Sequence, residues 1–170
     1  MKRRSILTAA MMLLAGTPSI ATAQVPPRLK DAIVGSWSLV SLHATRPDGT
    51  AAMPYGPRAT GTALFERNGR FTLILINPGI AKFASNDRER PTPAEAVAAA
   101  TGSIAMFGSY AINGVDRTVI LHLEASSYPN DTGTDQTRVV KSIAENQLVL
   151  VTPPSPNGAA TVELVFERIE

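Results

Sequence analysis

Apolar positions recur every second residue through most of the chain, which is the period of a half-buried strand. Ser36 to Thr45 alternates Trp37, Leu39, Ser41, His43 against Ser38, Val40, Leu42, Ala44. It follows a short helical turn expected at Leu29 to Val34. The stretch TALFERNGRFTLILIN, residues 62–77, holds two apolar runs joined across Asn68-Gly69, a hairpin signal. After an irregular region from Pro78 to Arg90, the runs FGSYAIN, RTVILHLEAS, DQTRVVKSI, QLVLVTPP and TVELVFERI read as five further strands. They are separated by Asn113-Gly114, by the loop Ser127 to Thr134, by Ala144-Glu145-Asn146 and by the loop Pro153 to Ala160.

One helix interrupts this series. Thr92 as N-cap, Pro93 at the first helical position and Glu95 three residues after the cap form a capping box, and alanines carry the helix toward about Ile104. About eight strands with short connections predict an all-β antiparallel meander closed into a barrel, which removes exposed edges. A barrel of eight strands is filled by side chains or holds one small ligand.

The first residues read differently. Lys2, Arg3 and Arg4 precede an apolar run from Ile6 to Ala15 and the site Ala21-Thr22-Ala23. This is the pattern of a secretory signal peptide over 1–23, leaving Gln24 first and a single domain over 24–170. The pair Arg3-Arg4 faintly resembles a twin-arginine signal, but such pairs are ordinary in basic n-regions, and the general secretory route is expected. The expected location is periplasmic or secreted. Three of the 16 basic residues leave with the signal and none of the 14 acidic ones, so 13 remain against 14. The basic precursor charge therefore gives no argument for nucleic acid or acidic membranes.

The chain has no cysteine, which excludes disulfides, a thiol nucleophile and a cysteine-held metal. No second apolar segment reaches the roughly 20 residues of a membrane span. Only His43 and His122 are available as imidazole ligands, without HxH or HExxH spacing, so no metal and no cofactor is expected. A haem needs one histidine, but nothing else points to it. GxSxG, P-loop and dinucleotide fingerprints are absent.

Candidate chemistry gathers in HLEASSYPNDTGTDQTRVV, residues 122–140. His122 and Glu124 share a strand face with Ile120 and Ser126, while Val119, Leu121, Leu123 and Ala125 form the other. If the next strand pairs with Gln136 and Arg138 opposite Ser126 and Glu124, an arginine–carboxylate pair forms with a histidine beside it. Facing inward, Arg138 would receive a ligand carboxylate or enolate and His122 or Glu124 would move a proton. Facing outward, the same trio is a surface salt bridge. Tyr55 and Arg58 are displayed by the rigid loop Met53-Pro54-Tyr55-Gly56-Pro57-Arg58, which shapes or plugs a barrel end; Tyr55 and Tyr128 are candidates to stack on a ligand. Gly35 and Trp37, the only tryptophan, read as structural, the ring closing the barrel bottom with its N–H on a carbonyl or its face on an arginine.

Taken together, Gly35-Ser36-Trp37-Ser38-Leu39-Val40-Ser41, Pro54-Tyr55-Gly56-Pro57, Gly61, Asn68-Gly69, Thr92-Pro93-Ala94-Glu95-Ala96, Phe107-Gly108-Ser109-Tyr110, His122 with Glu124 and Ser126, and Gly133-Thr134-Asp135-Gln136-Thr137-Arg138 resemble the bacterial and fungal lipocalin-like domain proteins. The resemblance runs over nearly all of the chain after the signal. It implies a lipocalin-like barrel, strengthens the case for His122, Glu124, Gln136 and Arg138, and adds Tyr110 to the ligand candidates. That family often carries Pro-x-Trp in the loop after the histidine strand; Pro129-Asn130-Asp131-Thr132-Gly133 lacks the aromatic, so no stacking role carries over.

Three functions follow as expectations. The first is an exported barrel binding a small, largely apolar or amphipathic molecule. The second is a cofactor-independent cyclase or isomerase with His122 or Glu124 as acid–base group and Arg138 stabilising an anion. The third is an envelope interaction protein whose barrel is filled by its own side chains. A barrel by itself selects none of them.

Overall fold

The computed structural model describes residues 28–154 and 160–169; the expected signal segment and Gln24 lie outside them. Helix α1 (Leu29–Ala32) leads into strand β1 (Gly35–Thr45). A two-residue strand β2 (Ala51–Ala52), β3 (Thr60–Phe65) and β4 (Arg70–Ile76) follow, then helix α2 (Pro93–Thr101), β5 (Ser103–Asn113) and β6 (Thr118–Ser126). A 3₁₀ turn at Pro129–Asp131 precedes β7 (Asp135–Ile143), β8 (Gln147–Thr152) and β9 (Thr161–Arg168). Every pairing is antiparallel, each long strand bonds its sequence neighbour, and β1 also pairs with β9. Eight long strands thus close a barrel, with β2 a stub on the far end of β1. No described helix is long and apolar enough to cross a membrane.

The hairpin β3–β4 turns where expected: the Gly69 N–H donates to the Glu66 carbonyl at 3.0 Å and Asn68 Oδ1 accepts the Arg70 N–H at 3.0 Å. Helix α2 starts on its capping box, with the Thr92 N–H on Glu95 Oε2 at 2.7 Å and the Glu95 N–H on Thr92 Oγ1 at 3.3 Å. It ends at Thr101, short of Ile104, and β5 begins four residues before the expected Phe107. Gly102 stops the helix, and pairing along the whole of β4, from Ile76 on Ser103 to Arg70 on Ser109, claims the following residues. Fixed inter-strand bonds here outweigh the helix propensity of a short alanine run.

Two bulges reset the alternation. Val40 has no partner on β9, so Trp37 and Leu39 face inward before it and Leu42 and Ala44 after it; Ser41 and His43 do not share a face with Trp37. Glu124 is likewise the extra residue between β6 and β5, which turns Ala125 outward opposite the exposed Phe107 and Ser126 toward buried Met106. An inserted residue shifts every later side chain to the other face. Gly108 sits at this second bulge, where a Cβ would lie 1.9 Å from the His122 carbonyl oxygen.

The barrel is closed at the α1 end. Trp37 is fully buried and its Nε1–H donates to the Ile33 carbonyl at 2.9 Å. The Arg168 guanidinium lies 4.1 Å from the indole centroid and donates to the carbonyls of Val34 and Ala32, each at 2.8 Å, and of Glu145 at 2.7 Å. Gly35 makes room for this: its φ is +142° and a Cβ would stand 2.3 Å from Arg168 Nη1. Phe65, Phe71, Leu121, Leu123, Val140, Leu148 and Phe166 fill the interior beside the indole.

Candidate functional site

Toward the other end the same interior opens into a cavity of about 720 Å³. Its apolar wall comes from inward positions of several strands, among them Leu73 and Leu75 on β4, Ile104 and Met106 on β5, and Val162 and Leu164 on β9. Tyr55, Tyr128 and the end of α2 frame the mouth. Such a volume falls within the range of small-molecule sites.

One charge stands inside this wall. In the observed register Arg138 pairs with Val119 and Gln136 with Leu121, so both point to the apolar side of β6. Arg138 is 7% exposed, the only charged side chain buried to this degree among the described residues. Its Nη2 donates to Gln136 Oε1 and its Nη1 to the Thr137 carbonyl at 3.1 Å, while Nε has no partner. Burial pulls the guanidinium down to about 10, against the opposing pull of the Asp131 carboxylate and Tyr55. It remains a cation at neutral pH. Burial, and then the Asp131 carboxylate, raise the Tyr55 phenol above its ordinary value, so Tyr55 stays a protonated donor.

The expected trio is not assembled. His122 and Glu124 lie on the outer surface of the barrel wall that holds Arg138 on its inner surface. Glu124 is paired with Arg70 through both terminal guanidinium nitrogens, the Nη2 contact being 2.9 Å, and this pairing holds its carboxyl below the usual range. His122 Nδ1 is 2.7 Å from Asp135 Oδ1 on the next strand. The expected register, Arg138 opposite Glu124, is replaced by one that keeps Val119, Leu121 and Leu123 against the core. The acid–base mechanism built on His122 or Glu124 with Arg138 therefore has its parts on opposite surfaces of the sheet.

Of the remaining candidates, Tyr55, Tyr128 and Gln136 line the cavity with Arg138. Tyr110 does not. It packs edge-on against Phe65 at 5.2 Å and donates to the Glu66 carbonyl at 2.8 Å, beside an open groove of about 830 Å³ at the α1 end. Arg58 does not line the cavity either, whereas Arg46 does. Asp131 went unremarked in the sequence because only the 3₁₀ turn, Pro129–Asp131, carries it to the mouth. Among the described residues no three His, Asp or Glu side chains come together as a metal site.

A lipocalin-like domain family model matches residues 34–169. The chain belongs to the lipocalin-like domain family. Among solved structures, a lipocalin-like protein from Bacteroides uniformis is similar at 16% identity over 81% of this chain and 99% of that one, with a TM-score of 0.43. Bovine odorant-binding protein, in complex with a selenium-containing odorant, matches at 14% identity over 87% of this chain and 76% of that one, TM-score 0.42. No curated protein matches the chain. Within this lipocalin-like protein, the cavity around Arg138 joins an apolar wall to the one charged side chain that is buried among the described residues.

Proposed function

We propose that the protein binds one small, largely apolar molecule inside its barrel, with Arg138 and Gln136 as the polar handle and Tyr55 and Tyr128 at the entrance. The observation that carries this is the cavity of about 720 Å³ in a barrel whose other end is filled by side chains. Protein interiors otherwise leave few voids larger than a water molecule. Residues 1–23 would direct export, so the binder would work in the periplasm or outside the cell.

The test is uptake of N-phenyl-1-naphthylamine, a neutral dye that brightens in apolar surroundings. The expected result is saturable uptake at one site per chain, lost in Met106→Trp, where the larger ring occupies the cavity. Absence of uptake, or equal uptake by Met106→Trp, would overturn the reading. Intact mass of protein recovered from its native host, native against denatured, would then reveal a resident molecule and whether the chain starts at Gln24.

A further inference from the structure

We propose that the ligand is an anion, specifically an amphipathic monocarboxylate whose head is seated against Arg138 and whose tail lies along Leu73, Leu75, Met106 and Leu164. This deepens the binding proposal above and rests on it.

A buried guanidinium without a carboxylate partner is the starting point. Its recorded hydrogen bonds go to a neutral amide oxygen and to the carbonyl of the preceding residue, neither of which carries charge. No described acid lies within 4.0 Å of it in an ion pair. The Nε–H is an unused donor on a residue that lines the cavity. A cation removed from water is costly unless an opposite charge and good hydrogen bonds compensate it. Arginine presents its donors as a planar fork matched to a carboxylate, and an anion entering the cavity would supply both the missing charge and the missing acceptor.

The rest of the lining sets the charge and the tail. Arg46 and Arg138 stand against the single acid Asp131, so the cavity carries one net positive charge. A monoanion balances it. A phosphate monoester would bring a second charge into a lining dominated by apolar side chains, with no second buried cation among the described residues to meet it. The Tyr55 hydroxyl offers a further neutral donor at the mouth. Leu73, Leu75, Ile104, Met106 and Leu164 are all buried and bear no polar atoms on their side chains apart from the methionine sulfur, so they select an apolar tail.

Three probes with one tail test this: dodecanoate, dodecan-1-ol and dodecyl phosphate, titrated by calorimetry into wild type, Arg138→Met and Met106→Trp. On wild type, dodecanoate is expected to bind about tenfold or more tighter than the alcohol, the range of a charge-assisted contact. In Arg138→Met the advantage of the acid over the alcohol is lost. Met106→Trp loses both. Equal affinity of acid and alcohol on wild type would overturn the anion inference while leaving the cavity reading intact. A phosphate that outcompetes the carboxylate would overturn the monocarboxylate assignment. Binding of none of the three, with no dye uptake, would remove the cavity reading itself. The comparison of probes on wild type decides the matter even if a variant does not fold.

Discussion

Replacing Arg138 by methionine should make the ligand-free protein more stable. The guanidinium is charged at neutral pH in both folded and unfolded chains, and in the fold burial pulls it down to about 10. A base whose folded value is lowered destabilises the native state wherever it is charged in both states, here below about pH 10. The cost recedes as pH rises from there through the unfolded value. Converted at about 1.36 kcal/mol per pH unit, the drop is on the order of 3 kcal/mol. Methionine forfeits the bonds to Gln136 and the Thr137 carbonyl, which returns about 1–2 kcal/mol. It keeps an unbranched stem against the same wall and leaves no buried charge. The net is a stabilisation of about 1–2 kcal/mol, or roughly 3–6 °C in Tm for a domain of this size. Differential scanning calorimetry at pH 7 on delipidated protein measures it. A lower Tm in Arg138→Met would refute the reasoning, because the cation would then be compensated within the fold and would have no need of a ligand.

The remaining predictions concern the closed end, the outer surface and acid. Arg168→Ala removes three bonds to carbonyls and the cation over Trp37, and should cost about 2–4 kcal/mol in denaturant unfolding; a loss below about 0.5 kcal/mol would mean that the end is held by packing alone. Gly35→Ala should destabilise by about 1–3 kcal/mol, since its backbone conformation and the nearby guanidinium both exclude a Cβ. His122→Ala and Glu124→Gln should leave dodecanoate affinity within about twofold of wild type, and a large loss in either would place the outer surface in the site after all. The carboxyls of Asp48, Asp87, Glu95 and Glu124 are all held below their ordinary values by hydrogen bonds. Their contribution is complete above the unfolded carboxylate range and is lost as pH falls through the folded values, so the urea midpoint should drop below about pH 4; an unchanged midpoint at pH 3 would contradict this.

The strands were legible because period-two alternation and turn chemistry agree: Asn68-Gly69 and the Thr92–Glu95 box act through neighbours in sequence. The site was only half legible. Alternation reads faces correctly up to a bulge and inverts them beyond it, and neither Val40 nor Glu124 announces that it is the unpaired residue. Pairing between β6 and β7 is set across an eight-residue loop, so Arg138 opposite Glu124 and Arg138 opposite Val119 both fit the local pattern. The outcome turns on burying Val119, Leu121 and Leu123 together, a property of the closed barrel. A signal was nevertheless present: Arg138 alternates in step with Val140, which is fully buried. Partnering of Glu124 with Arg70, 54 residues away in sequence, had no local sign at all.

Pairing of β1 with β9 ties the first strand of the barrel to the last, and Arg168 fastens to carbonyls 134 and 136 residues earlier. Loop closure on that scale must precede the contacts that reward it, so this topology belongs with the slow folders, in the range of milliseconds to seconds. Until β9 is available, β1 keeps an open edge, the indole lacks its cation and the cavity lacks the side that Val162 and Leu164 supply. Trp37 is therefore a built-in reporter of the final closing step.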